Sequence, residues 1–408
     1  MNSFQRLFLG LSLAATLSGQ GWGQNQAAIW TPPPASELLT LIPSKPAEAA
    51  SLIRKSWGEK ALAAGTRALE NTTLLVAVTS AEPVTLVRAG SGEKIGDLVP
   101  LDAQNLHALA IELKNFQMVD YELRTTSGKG LAKGNVKIES YEYTADSLEK
   151  PEVPKGKVTT HEWNDSKVFP NTRREFKVYI PAQYDGSKPA ALMVFQDGLR
   201  HADPASNGGL RATTVFDNLI AAGDMPVTIG IFVNPGRFPE QKPNDKARNR
   251  SLEYDSLGDA YVRFLLEEII PNVVAEHGLK LSEDPAEWAI AGGSSGCACA
   301  WTAAWERPDK FGKVLGWVGT FVDIRGANAY PSLIRKTERK PIRAALLDGV
   351  NDLDNQFGNW PLANRQMEAA LKFQGYDYRY WWGECFHGSA HAAVMLPEML
   401  RWLWRDEN

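Results

Sequence analysis

Cysteine is scarce in this chain: three residues in 408, Cys297, Cys299 and Cys385, all in the last third. So few cannot build a disulfide framework, and a chain this long has room for an ordinary apolar core instead. The spacing Cys297-x-Cys299 leaves one residue between the sulfurs, where zinc pairs leave about two to four, and no second Cys/His pair stands at such spacing. No metal or cofactor is expected. A dense Lys/Arg run is also missing and the net charge is -4, so the electrostatic footprint that phosphate backbones require is absent and nucleic acid is not an expected partner. Long apolar runs are lacking too. The stretch Leu7 to Leu17, preceded by Arg6 and interrupted by Gly10 and Ser12, is shorter than the roughly 20 apolar residues of a membrane span. Followed by Gly21, Trp22 and Gly23, it has the pattern of a signal peptide, so residues 1–23 are expected to be removed on export to the periplasm or the medium. The mature chain is then expected to have no membrane span.

What is present reads as a folded, two-domain protein: 44% apolar and 23% charged residues over a length greater than most single domains. Residues 24–70 begin with Pro32 to Pro34, Pro43 and Pro46 and read as a partly loose lead-in with one short helix from Ala47 to Lys60. Over 71–145, short β-branched runs (Leu74 to Thr79, Val84 to Arg88, His107 to Leu113, Met118 to Thr125, Val136 to Tyr143) predict a small antiparallel β-sandwich of immunoglobulin type. Residues 146–162, polar and punctuated by Pro151, Pro154 and Gly156, read as a linker.

From 163 to 408 the rhythm changes. Strand-like runs at Arg174 to Ile180, Ala190 to Phe195, Val227 to Val233, Trp288 to Ala291, Val314 to Val318 and Ile342 to Leu347 alternate with helical segments. Of these the clearest is Leu257 to His277, stopped by Gly278. That alternation predicts an α/β domain, a mostly parallel sheet with helices on both faces.

The sharpest local signal is Gly292-Gly293-Ser294-Ser295-Gly296, which follows the apolar run Ala289 to Ala291 and precedes the helix-compatible Cys297 to Glu306. A serine on such a strand-to-helix turn projects its hydroxyl above the sheet edge, and the glycines let the backbone pass without Cβ clashes. The register selects Ser294, because centring on Ser295 would need Gly where Cys297 stands. A hydroxyl needs a base to act as a nucleophile at neutral pH, and only two of the six histidines, His387 and His391, lie beyond Ser294. His387, in the loop after Tyr380 to Trp382, is the candidate base; His391, at the start of the closing helix, reads as a cap or pocket-wall residue.

An acid must orient that base. The strand ending at Leu347 leads into Asp348-Gly349-Val350-Asn351-Asp352-Leu353-Asp354. Asp348, at the strand edge, is expected to bind turn amides; Asp352 is the preferred acid and Asp354 the alternative. Acyl transfer also needs donors for an oxyanion, for which the amide of Ser295 and that of Gly198 or Leu199, after Val194 to Asp197, are candidates. In an exported protein Cys385 could bridge to Cys297 or Cys299; the alternative is buried free thiols. The run Arg248 to Tyr254 is a candidate lining for an acidic substrate.

With these residues in place, the chain resembles the enterochelin esterase-like (esterase D) branch of the α/β-hydrolases, related to feruloyl and acetyl xylan carbohydrate esterases. The resemblance spans about 155 to 408 and rests on Phe195-Gln196-Asp197-Gly198, Arg250 to Glu253, Glu267 to Val273, Gly292 to Gly296, Trp305-Glu306-Arg307-Pro308, Gly349 to Asp352 and His387. It implies an α/β-hydrolase domain preceded by a β-sandwich, and a triad of Ser294, Asp352 and His387. It also implies a serine esterase that works through an acyl-enzyme on a phenolic, acetyl or siderophore ester, carried by a small molecule or a polysaccharide. The alternatives are an acyltransferase using the same triad and a non-catalytic extracellular carbohydrate-binding protein on a hydrolase scaffold.

Overall fold

The computed structural model describes residues 33–206, 208–242 and 249–406. The expected signal segment, 1–23, lies outside them. No helix among the described residues is long and apolar enough to cross a membrane. The chain forms two compact units, one made of residues up to Glu112 together with Asp120–Gly134, the other of Leu113–Val119 with Asn135 onward.

Three helices open the first unit: α1 (Ala35–Ser44), α2 (Pro46–Ser56) and α3 (Glu59–Ala64). Eight strands follow: β1 (Thr66–Glu70), β2 (Thr73–Thr79), β3 (Val84–Arg88), β4 (Lys94–Asp97), β5 (Val99–Pro100), β6 (Leu106–Glu112), β7 (Gln117–Thr125) and β8 (Gly130–Ile138), the last two running on into the second unit. They form two four-stranded sheets, ordered β1-β2-β6-β5 and β4-β3-β7-β8, with antiparallel pairing. From Ala35 to Ala64, the segment expected to be a partly loose lead-in is helical and packed. Ala35, Leu38 and Ile42 fall at helical spacing on α1 and, with Ala49, Ala50 and Ile53 of α2, cover Leu75 and Ala77 of β2 and Leu106 and Ala108 of β6. Pro46 takes the first position of α2, where no amide donor is needed, and Pro43 lies in the last turn of α1.

The second unit contains β9 (Lys157–Trp163), β10 (Arg174–Ile180), β11 (Ala191–Gln196), α4 (Leu199–Ala202), α5 (Ala212–Ala222), β12 (Thr228–Val233), α6 (Arg250–Asp255), α7 (Ala260–Phe264) and α8 (Ile270–His277). After these come β13 (Trp288–Gly293), α9 (Ser295–Glu306), β14 (Lys313–Trp317), α10 (Tyr330–Lys336), β15 (Arg343–Gly349), the short hairpin β16 (Asp354–Asn355) and β17 (Gly358–Asn359), α11 (Trp360–Phe373), β18 (Asp377–Gly383) and α12 (Ala390–Trp404). The eight-stranded sheet runs β18-β15-β14-β13-β11-β12-β10-β9, parallel from β18 to β12 and antiparallel at β10 and β9.

Period-two alternation divides its core cleanly. Leu192, Val194, Ile290, Val314 and Leu346 face one side, under α7 to α11. Met193, Phe195, Ala291, Leu315 and Leu347 face the other, under α5 and α12. This is the α/β-hydrolase architecture.

The expected linker, 146–162, is a correction. Its second half is the edge strand β9, paired with β10 from Lys157↔Ile180 to Trp163↔Arg174. An edge strand half in solvent carries no apolar run, and Lys-Val-Thr-Thr-His-Glu-Trp hides it among polar residues. The expected long helix runs from Ala260 to His277 with a π-helical turn at Leu265–Ile269 just ahead of Pro271. Widening the turn there accommodates a ring that has no amide donor. Gly278, at φ +62°, ends the helix.

Candidate active site

The strand β13 ends at Gly293 and α9 begins at Ser295, which leaves Ser294 alone on the turn with φ 58° and ψ -126°. L-residues avoid that conformation, so the surroundings must hold it. The Ser294 amide donates to Trp317 O at 3.0 Å, and the Thr320 amide donates to Ser294 O at 3.2 Å. A side chain on Gly292 would collide with the backbone of Gly296, and one on Gly293 with the Trp317 indole, so the tight turn excludes any larger residue at either position.

Loops from two other strands meet the serine. His387, between β18 and α12, has Nε2 2.8 Å from Ser294 Oγ and Nδ1 2.6 Å from Asp352 Oδ1. Asp352, in the loop after β15, has a fully buried side chain, and its Oδ1 also accepts from the Leu353 amide at 2.6 Å. With Nδ1–H donated to the carboxylate, Nε2 is left as an acceptor for the serine hydroxyl. Asp354, the alternative acid, lies exposed on the β16–β17 hairpin opposite Asn359.

Two residues that sequence reasoning missed complete the inner ring. Thr320 Oγ1 lies 3.1 Å from Ser294 Oγ and accepts from Trp360 Nε1 at 3.3 Å, and the Trp360 ring stands edge-on to the His387 imidazole, centroids 5.7 Å apart. Thr320 follows β14, the strand beside the serine strand, through a turn in which Val318 takes φ +45°, a rare value for a β-branched residue. A threonine just past a neighbouring strand end was the only sequence signal.

Of the oxyanion candidates, Ser295 opens α9, so its amide is one that the helix leaves without an internal carbonyl. Gly198 is a correction: its amide donates to Val233 O at 3.0 Å and is committed to the β11–β12 edge. Glycine is required there because a Cβ would strike the backbone of Phe232. The Leu199 amide donates to the Asn234 side chain, Oδ1 at 3.3 Å.

The preceding Asp197 adopts φ +51°. Its amide donates to the Tyr254 hydroxyl at 3.1 Å, and its carboxylate receives Arg250 Nε at 3.0 Å and Nη2 at 2.7 Å. Arg250 sits on α6, anchored by the buried ion pair of Glu253 with Arg174, 2.7 Å. Within the expected substrate-lining run, Arg248 lies outside the described residues and Arg250 is engaged with Asp197.

The sequence matches the family model described as "Putative esterase" over residues 166–380, which is more than half of the chain. The chain belongs to this esterase family. Hydrolysis of a carboxylic ester is the activity that goes with it. The fold of this esterase is similar to enterochelin esterase of Shigella flexneri, at 15% identity and TM-score 0.56 over 84% of this chain and 95% of that one. It is also similar to ferric enterobactin esterase of Salmonella typhimurium, at 14% and 0.53 over 83% and 96%. A ferulic acid esterase of the anaerobic fungus Anaeromyces mucronatus aligns at 17% and 0.50 over 62% and 93%. No curated protein matches the sequence.

The disulfide considered for the esterase is not formed: Cys297, Cys299 and Cys385 are all buried free thiols. Cys297 and Cys299 pack in the apolar layer on one face of the sheet and Cys385 in the layer on the other, so the sheet stands between the sulfurs. His391 opens α12 as a half-buried ring stacked on Tyr141, centroids 5.1 Å apart, rather than as a base. Asp348 is also placed differently from expectation. It binds no array of turn amides but is fully buried beneath the loop that carries Asp352. Among the described residues, His161, Glu276 and His277 could hold a metal ion, with ligand atoms within 4.8 Å of one another. They lie on β9 and the end of α8, at the edge of the sheet rather than beside Ser294, and sequence spacing could not reveal a cluster drawn from two elements.

Proposed function

We propose that this esterase cleaves its substrate through an acyl-enzyme on Ser294. The observation that carries the reading is the unbroken hydrogen-bonded line from Ser294 Oγ to His387 (2.8 Å) to Asp352 (2.6 Å). Ser294 attacks the ester carbonyl while His387 Nε2 takes its proton; Asp352 holds the ring and stabilises the imidazolium. The developing oxyanion is held by the Ser295 amide and by the Leu199 amide, which turns to it from Asn234. His387 then protonates the departing alcohol, and water repeats the sequence to release the acid.

A phenolic ester suits the site better than an acetyl ester or a cyclic siderophore. The exposed Leu353, next to Asp352 in the chain, and the exposed Phe357 on the hairpin that follows offer apolar contact to an aromatic acyl group. Export after removal of residues 1–23 belongs to the same reading and is supported by the apolar segment Leu7 to Leu17.

The test is a panel of p-nitrophenyl acetate, methyl ferulate, acetylated xylan and a cyclic catecholate ester, offered to the enzyme and to Ser294→Ala. Turnover fastest with methyl ferulate and lost in the variant supports the reading. A preference for the acetyl esters refutes the phenolic assignment, and equal turnover by the variant refutes the serine mechanism.

A further inference from the structure

Two buried carboxyl groups meet behind the imidazole. Asp348, near the end of β15, is fully buried, and so is the side chain of Asp352 four residues later. Asp352 Oδ1 receives His387 Nδ1–H and the Leu353 amide, each at 2.6 Å. Among the described residues, Oδ2 of Asp352 and both oxygens of Asp348 are buried without a hydrogen-bond partner of good geometry, and the two carboxyl groups lie close enough to act directly on each other. Two carboxylates side by side away from water cannot both be ionised, and a hydrogen bond between them requires one proton.

We propose that Asp348 is a buried carboxylic acid that donates its proton to Asp352 Oδ2, making it a positioning residue that locks the acid of the triad against His387. This rests on the serine mechanism proposed above.

The surroundings decide which partner carries the proton. Oδ1 of Asp352 already accepts from two N–H donors, whereas Asp348 accepts from none of comparable geometry and can supply the proton between them. Asp348 is faced by Cys297 of α9, Tyr380 of β18 and Cys385 of the base loop, all neutral, besides Asp352 itself. Arg365 of α11 acts on it at longer range, being engaged with Glu368 at 3.1 Å. Burial first, and the Asp352 carboxyl second, push Asp348 up to about 9, against the pull of the Gly349 amide and Arg365.

Folded Asp348 is therefore neutral where an unfolded aspartate, with its pKa about 4, is ionised, and folding takes up a proton. Its contribution to stability is complete below about pH 4. That contribution is lost progressively as pH rises towards about 9.

The experiment compares the enzyme with Asp348→Asn, which still donates but cannot ionise, and Asp348→Leu, which does neither. Two quantities are followed against pH: kcat and KM on a p-nitrophenyl ester, with the Ser294→Ala rate subtracted as blank, and Tm. Wild-type kcat is expected to fall above about pH 9. Asp348→Asn should lack that fall, and its Tm advantage over wild type should grow with pH from about 4 upward. Asp348→Leu should lose about tenfold or more in kcat with little change in KM, as a loosened base does. An alkaline fall in Asp348→Asn equal to wild type, together with a Tm difference that does not change with pH, overturns the inference while leaving the triad standing. Full activity in Ser294→Ala overturns the triad reading, and the positioning role with it.

Discussion

Thr320 Oγ1 stands 3.1 Å from Ser294 Oγ, and the direction of the bond between them follows from where the serine proton goes. The Trp360 indole N–H, 3.3 Å from Thr320 Oγ1, can only donate. With the proton of Ser294 given to His387 Nε2, the threonine hydroxyl, which accepts from Trp360, is left to donate its own proton to Ser294 Oγ.

Thr320→Val removes this relay at nearly constant volume. A fall of about tenfold in kcat with KM nearly unchanged is expected, measured by steady-state kinetics. The orphaned Trp360 N–H should cost about 1–3 kcal/mol in urea denaturation.

Asp352 and Asp354 are two residues apart and differ wholly in setting, one buried against the imidazole and the other exposed on a hairpin. Asp352→Asn should lower kcat by about 10⁴-fold, because an amide favours the wrong tautomer of His387. Asp354→Asn should stay within about 0.5 kcal/mol of wild type in stability, with turnover retained. Kinetics of the two variants side by side decide between them.

The Arg174–Glu253 pair, with neither side chain accessible, anchors the helix from which Arg250 holds Asp197. Arg174→Met strands a buried carboxylate. A loss of about 3–5 kcal/mol is expected in equilibrium unfolding, as for other broken buried pairs.

The three thiols are buried, and burial pushes all of them up, so native protein should react negligibly with a thiol reagent. Unfolded without reductant, the protein should release three thiols. A count of one would instead mean a disulfide.

Much of the fold was legible because its signals are local. Each of the six strands read from apolar runs in the α/β domain appears within two residues of the expected ends, and the glycines around Ser294 announce a turn that only small residues allow. Chain order also pointed to His387 and Asp352 as the residues that meet at Ser294. What stayed hidden depends on partners distant in sequence. The strand at Lys157–Trp163 is polar because it lies at a sheet edge, and the helices at 35–64 are short and proline-rich until the apolar face they cover is known. Gly198 looked like a free donor until β12 supplied Val233 O, and Asp348 looked like a turn aspartate until the sheet closed over it. Thr320 carried no motif at all.

Mass spectrometry of the protein quenched during turnover of p-nitrophenyl acetate tests the central claim most directly. The account predicts an acetyl adduct on the peptide containing Ser294, absent from Ser294→Ala along with turnover and accumulating in Asp352→Asn if deacylation becomes slow. An adduct mapped elsewhere, for example to Cys297, or turnover undiminished in Ser294→Ala, would contradict it.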